Sequence, residues 1–154
     1  MDRGALSPPA PVSPLRSLLA GAAGAVALTA VHQAAVALVD RAPRMDVLGM
    51  RAIARLARAA NAKPPANLYA VTLAGDLAGN ALYYSLVGAG RPGGEWARGA
   101  ALGLAAGVGG VVLPPVLGLG DAPSGRTAAT AAMTVAWYTL GGLVAAGAAR
   151  RLQR

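Results

Sequence analysis

The sequence predicts an all-α protein: a four-helix transmembrane bundle with one interfacial amphipathic helix between the first and second spans. The 154 residues are 55% hydrophobic and only 13% charged, whereas about a quarter of a soluble domain is charged. The apolar residues form four long blocks, and a membrane-spanning helix needs roughly 20 such residues. Proline clusters between these blocks, where helices begin and end, whereas most of the glycine lies inside them.

Composition also narrows the classes of partner and cofactor. The chain has no cysteine, which excludes disulfides, thiolate zinc sites and iron–sulfur clusters. Its net charge is +8, but basic residues that flank apolar spans are normally topology signals or contacts with lipid headgroups. We therefore expect the lipid bilayer as the partner and do not expect nucleic acid.

The N-terminal region is predicted to change from disorder to helix near residue 17. Residues 1–16 contain four prolines, a density that predicts a disordered lead-in. Residues 17–39 carry no charge until the block ends. A signal peptide is the alternative, but this block is longer than a typical signal-peptide core. We interpret it as the first span of a single transmembrane domain, residues 17–150, followed by a basic tail, residues 151–154.

Residues 46–60 are predicted to form the amphipathic helix, with Asp46 as its N-cap. Apolar residues share one side of this segment, and four arginines gather on the opposite flank, which we predict to bind lipid headgroups: Arg44, Arg51, Arg55 and Arg58. A short helix packed on the rest of the protein is an alternative that can hold at the same time.

The second span, residues 67–88, carries the most unusual residue of the chain. Asp76 lies near its midpoint, and an ionisable group at that depth costs at least about 2.5–3.5 kcal/mol on insertion scales. Asn80 follows one helical turn later and Tyr83 extends the same polar stripe. Such a stripe is expected to face the interior of the bundle or a wet cavity.

The third span is predicted over residues 97–119, with a break at Pro114–Pro115, because proline disfavours helix in the residue before it. Residues 116–120 are predicted not to be regular helix, since the glycines that follow the prolines are poor helix formers. The fourth span covers residues 127–149, and Thr127 or Ser124 is expected to cap it. Four spans place both termini on one side. Basic residues are divided equally between the two sides, so the positive-inside rule does not choose an orientation.

Small residues recur at four-residue spacing and predict close helix packing. The strongest examples are glycines in the second and third spans: Gly75, Gly79, Gly99, Gly103 and Gly107. We expect these rows to pack within the chain first and to form a dimer seam second.

His32, the only histidine, lies inside the first span. At 1.5 Å per residue, His32 lies about 10 Å along the helix from the end of that span at Val39. Asp76 lies about 12 Å from Leu68, at the start of the second span. Equal depth in antiparallel neighbours predicts a His32–Asp76 pair, within a cluster that includes Asn80 and Tyr83. The pair is interpreted as a structural clasp between helices; the alternative is a proton-handling or ligand site. No cofactor is expected, although His32 as an axial ligand of haem or chlorophyll is a third alternative.

Four segments resemble a group of small bacterial integral membrane proteins known only as hypothetical: PRMDVLGMRAIAR (43–55), AGDLAGNALYYSLVG (74–88), LGLGDAPSGRT (117–127) and TVAWYTLGG (134–142). The resemblance runs from the first span to the last. It implies a multi-pass protein of the bacterial inner membrane and assigns no catalytic residue.

Two functions follow from these patterns. The first is a non-enzymatic accessory or interaction subunit of a membrane complex, or a homo-oligomer, since nothing resembles a nucleophile–base pair, a P-loop or a dinucleotide fingerprint. The alternative is a small proton-coupled carrier or channel that uses Asp76 and His32. The two differ in whether the Asp76 face is dry or open to a cavity.

Overall fold

The computed structural model describes residues 13–89 and 91–153, and these residues form helices without strands. The helices are α1 (Pro14–Leu38), α2 (Met45–Ala59), α3 (Leu68–Ser85), α4 (Glu95–Val116), α5 (Ala122–Gly125) and α6 (Ala128–Leu152). An all-α bundle is therefore confirmed. Three of the described helices, α1, α4 and α6, are long and apolar enough to cross a membrane. Helix α3, which corresponds to the predicted second span, is not among them, because Asp76 and Asn80 interrupt its apolar sequence.

Helix α6 lies at the centre of the packing arrangement. It packs against α4 on one side and α1 on the other, and α3 packs against α1. Two tyrosine hydroxyls connect α3 to the far side of the bundle: Tyr83 donates to Leu102 O at 3.0 Å and Tyr84 to Tyr138 O at 2.7 Å. The short helix α2 packs across α3 and contacts α5, so α2 and α5 close one end of the bundle.

The glycines of α4 lie directly against α6. A Cβ atom added at Gly103 would lie 2.6 Å from Thr139 Cα, and one at Gly107 would lie 2.6 Å from Val135 Cα. Gly99 faces Gly142 in the same way. Close backbone approach of this kind is how helices associate without a hydrophobic driving force.

Gly75 and Gly79 differ from this row. Nothing lies within 4 Å of a Cβ atom added at either position. The packing within the chain that we predicted for these two residues is therefore absent among the described residues, and the GxxxG face of α3 is open.

The helix ends agree with local rules in some places and depart from them in others. Helix α1 starts at Pro14, at the first helical position where proline is favoured, so residues 14–16 are helical instead of disordered. The prediction for residues 1–12 lies outside the described residues. Thr127 caps α6 by accepting from Thr130 N at 3.1 Å, which confirms that prediction.

Helix α4 does not break at Pro114–Pro115 but continues through both and ends at Val116. Each proline lacks an amide N–H, so the helix gives up two hydrogen bonds to carbonyls one turn back, and it ends directly after the pair. A glycine cap follows: Gly118 has φ +67°, Gly118 N donates to Pro115 O at 3.0 Å and Leu119 N donates to Pro114 O at 2.8 Å. This is the Schellman pattern. Residues 117–120 are outside the helix, as predicted.

Candidate functional site

A cavity of about 250 Å³ lies where α1, α2 and α3 meet. Its polar lining comes from all three helices: His32, Gln33, Asp46, Tyr69, Thr72 and Asp76. Apolar and glycine residues of α2 and α3 complete the wall. Among the described residues, no lysine or arginine lines it. The cavity therefore combines two carboxyl groups and an imidazole with mostly apolar surroundings.

Helix α3 supplies one wall because of its periodicity. Asn67 caps this helix by accepting from Ala70 N at 3.0 Å, which fixes where the helix begins. Tyr69, Thr72 and Asp76 then follow at spacings of three and four residues and share one face. Thr72 is only 6% exposed, and its hydroxyl has no hydrogen-bond partner among the described residues.

Asp76 is hydrogen-bonded, but its partner is not His32. Asn80 Nδ2 donates to Asp76 Oδ1 at 3.0 Å, one helical turn along α3. Within residues 13–89 and 91–153, Oδ2 accepts no hydrogen bond. The carboxyl group therefore keeps one oxygen available to the cavity that it lines.

His32 is anchored to the chain segment that leads into α2. Its Nε2 lies 2.9 Å from Pro43 O and 3.3 Å from Met45 N. The shorter contact needs a protonated Nε2 that donates to the carbonyl, so we assign that tautomer. Trp137 packs at a ring-centroid distance of 6.0 Å. The predicted direct His32–Asp76 pair is replaced by two side chains that line one cavity separately.

This anchoring also bears on the haem and chlorophyll alternative. In the assigned tautomer the Nε2–H of His32 is bonded to the Pro43 carbonyl and the lone pair lies on Nδ1, so an axial ligand would have to use Nδ1, and this alternative stays a prediction. Among the residues that the structure describes, no three His, Asp or Glu side chains are grouped as metal ligands.

Asp46 lies in the first turn of α2 and is not the N-cap, which is Arg44. Arg44 Nε donates to Asp46 Oδ1 at 2.9 Å and Arg44 Nη2 donates to Oδ2 at 2.7 Å. The Arg44 guanidinium holds the pKa of the Asp46 carboxyl below its usual range, and the same hydrogen bonds raise the pKa of Arg44. Asp46 is thus already paired, whereas Asp76 has no cationic partner within 4.0 Å among the described residues.

Two other arginines of α2 bind the protein. Arg51 Nη1 donates to Leu119 O at 2.9 Å and Arg55 Nη1 donates to Gly118 O at 3.2 Å. These carbonyls follow the C-terminus of α4, where unsatisfied acceptors and the helix dipole favour a cation. Of the four arginines predicted to bind headgroups, Arg58 alone has a side chain that makes no hydrogen bond or ion pair in the described part of the chain.

Tyr83, predicted in the polar cluster, donates its hydroxyl to Leu102 O and so points towards α4. Tyr69 and Thr72 line the cavity but were not predicted as site residues. The signal was present, because both precede Asp76 at helical spacing and therefore share its face. The contribution of Asp46 to the cavity depends on the position of α2, which no local pattern fixes.

Comparison of the chain with protein-family models, curated proteins and solved structures finds no match. The resemblance to small bacterial membrane proteins therefore stays a prediction. The function is inferred from the geometry of the cavity.

Proposed function

We propose that this chain is a small multi-pass protein of the bacterial inner membrane and that it works as a proton-coupled carrier or channel. The supporting observation is that Asp76 and His32 line one cavity instead of bonding to each other. A dry clasp between two helices would join them directly. A cavity between them gives a substrate or a proton somewhere to bind.

In this proposal α3 also crosses the membrane, so that the protein has four spans: α1, α3, α4 and α6. It packs along α1, itself a membrane-capable helix. Its 18 residues extend about 27 Å, close to the roughly 30 Å of the hydrocarbon core. Its polar residues Thr72 and Asp76 line the cavity, so the feature that lowers its hydropathy is turned away from lipid.

Asp76 supplies the coupling chemistry. One oxygen is bonded to Asn80, and the other can accept a proton or bind a cationic group in the cavity. A lone carboxylate at membrane depth is costly, so one of these two partners must be present. Proton and cation compete for the same oxygen, and this competition links binding to proton release.

Helix α2 covers the cavity and is held by polar contacts at its exposed edge. Gly49 lies against the Thr72 side chain, while Arg51 and Arg55 bond to the chain after α4. The cavity is already partly open, and in this proposal movement of α2 widens its access from one side of the membrane.

The proposal is tested by proton flux in liposomes that contain a pH-sensitive dye. Asp76→Asn keeps the size and hydrogen-bonding capacity of the side chain but cannot take up a proton, so flux should fall to the level of empty liposomes. Asp40→Asn is the matched control, because it removes an exposed carboxyl group outside the cavity and should leave flux unchanged. Undiminished flux in Asp76→Asn, or none in the wild type, would contradict the carrier.

A second function, the non-enzymatic accessory subunit or homo-oligomer, is favoured by the outer face of α3. Gly79 is open there, and Val71, Leu82 and Leu86 of the same segment are exposed, whereas Gly75 lines the cavity. A second copy or another membrane protein would find a close-packing surface at Gly79. Energy transfer between labelled copies in liposomes should be lost in Gly79→Leu and kept in Ala129→Leu, an exposed site on α6. Equal transfer in both variants would exclude this face as a seam.

A further inference from the structure

At the opposite end of the bundle from α2, a groove of about 850 Å³ lies between the start of α1, the start of α4 and the end of α6. Its apolar wall includes Leu19 and Ala23 of α1 and Leu143 and Val144 of α6. Two guanidiniums, Arg150 and Arg151, stand at its outer end. The groove thus has an apolar length and a cationic mouth.

The length of the groove matches one leaflet of a membrane. Along α6, Leu143 and Arg151 are about 12 Å apart at 1.5 Å per residue. Half of a hydrocarbon core of about 30 Å is about 15 Å. Trp96 marks the interface level: its indole packs 3.5 Å from the position of a Cβ atom on Gly147, and it is 46% exposed. Tryptophan is enriched at the boundary between hydrocarbon and headgroups.

The charge at this end is not balanced by the described part of the protein. Neither Arg150 nor Arg151 lies within 4.0 Å of a carboxylate in residues 13–89 and 91–153. The acidic residue of this region, Glu95, is 2% exposed, accepts from Gly93 N at 3.0 Å and faces Arg98. Glu95 therefore cannot neutralise the two arginines at the mouth of the groove.

We infer that this groove binds one anionic phospholipid, with its phosphate between Arg150 and Arg151 and an acyl chain along Leu19, Ala23, Leu143 and Val144. Guanidinium groups bind phosphate through charge-assisted hydrogen bonds. The apolar wall then covers the chain of the same molecule. The site lies at the other end of the bundle from α2, where Arg44, Arg51 and Arg55 are bonded to protein.

Trp96 provides the measurement, because it lines the groove. The chain has two tryptophans, and Trp137→Phe leaves Trp96 as the only one. Phosphatidylcholine vesicles containing this protein are made with rising fractions of dibrominated phosphatidylglycerol or dibrominated phosphatidylcholine. Bromine quenches tryptophan on contact. We expect half-quenching at a roughly five- to thirty-fold lower fraction of the anionic lipid, since one guanidinium contributes about a factor of five.

Arg150→Gln with Arg151→Gln should remove this preference. The matched control is Arg41→Gln with Arg126→Gln, which removes the same charge from exposed positions outside the groove and should keep the preference. Equal quenching by both lipids in the wild type, or the same loss in both double variants, would overturn the inference.

Two further measurements distinguish the possible sources of the anion and do not depend on folding of the variants. Raising ionic strength should weaken the lipid preference of the wild type, because salt screens exposed charges; an unchanged preference would overturn the inference. Inorganic phosphate should relieve quenching no more than chloride at equal ionic strength. A specific effect of phosphate would identify a site for soluble anions in place of a lipid.

Discussion

The interface of α4 with α6 and the corner formed by α1, α2 and α3 are both rich in small residues, yet they pack differently. In the first, Gly99, Gly103 and Gly107 bring two backbones into contact. In the second, Gly75 and Gly79 meet nothing, and a cavity remains beside Asp76. Spacing of small residues is therefore not sufficient for close packing.

The difference lies in the residues between the glycines. In α4 these are apolar, so either face of the helix is compatible with a neighbouring helix or with lipid. In α3, Asp76 and Asn80 adjoin the glycines, and their polar face must turn towards a sheltered or wet space. That requirement sets the rotation of α3, which places Gly75 at the wall of the cavity and leaves Gly79 in open space.

The largest expected effect is the contrast between two glycine substitutions. Gly103→Leu places a side chain where the Thr139 backbone already lies, and overpacking of this kind should lower the free energy of unfolding by about 3 kcal/mol. Gly79→Leu places its side chain in open space and should change the free energy of unfolding by less than about 1 kcal/mol. Leucine also has a higher helix propensity than glycine, which offsets part of any loss. Unfolding in mixed micelles with increasing SDS measures both. Equal losses would show that the two glycine rows do not differ.

A smaller effect should come from the hydroxyl that joins the corner to the close-packed half. Tyr84 is 0% exposed and donates to Tyr138 O at 2.7 Å. Tyr84→Phe removes only this hydrogen bond and should cost about 1 kcal/mol in the same unfolding measurement. Tyr83→Phe, at a more exposed position on the same helix, should cost less. The reverse order would place the connection between the two regions at Tyr83 and α4.

The sequence predicted positions along the helices much better than rotations about them. The apolar blocks placed α1, α3, α4 and α6 within a few residues, because membrane-scale hydrophobicity and helix-ending residues are local properties. The equal depths of His32 and Asp76 also follow from counting residues along each helix, and both residues line one cavity. Their direct pairing failed because contact needs a shared rotation, which packing with other helices decides.

Partners that are distant in sequence could not be predicted for the same reason. His32 binds the Pro43 carbonyl, and this depends on the path of the chain between α1 and α2. Arg51 and Arg55 bind carbonyls that only the folded chain brings to α2. The periodic pattern shows that these arginines share a flank of the helix. It does not distinguish a lipid headgroup from a backbone carbonyl as their acceptor.

The smallest expected effect concerns the ion pair at the edge of the cavity and follows from pH. The pKa of Asp46 is lowered in the folded protein by Arg44, so the pair stabilises the fold at pH values above the unfolded pKa of about 3.9. This contribution is lost as the pH falls below about 4 through the lowered folded pKa. Because the Arg44 side chain is 50% exposed, the contribution should be only about 0.2–1 kcal/mol.

The measurement is the difference in free energy of unfolding between the wild type and Asp46→Asn at pH 6 and at pH 3. The difference should be present at pH 6 and shrink at pH 3, because the protonated carboxyl no longer pairs with Arg44. In an Arg44→Gln background the same difference should be small at both pH values, since the pairing partner is already gone. A difference that widens on acidification would mean that Asp46 is destabilised by its surroundings. The corner would then not be held by a titratable pair.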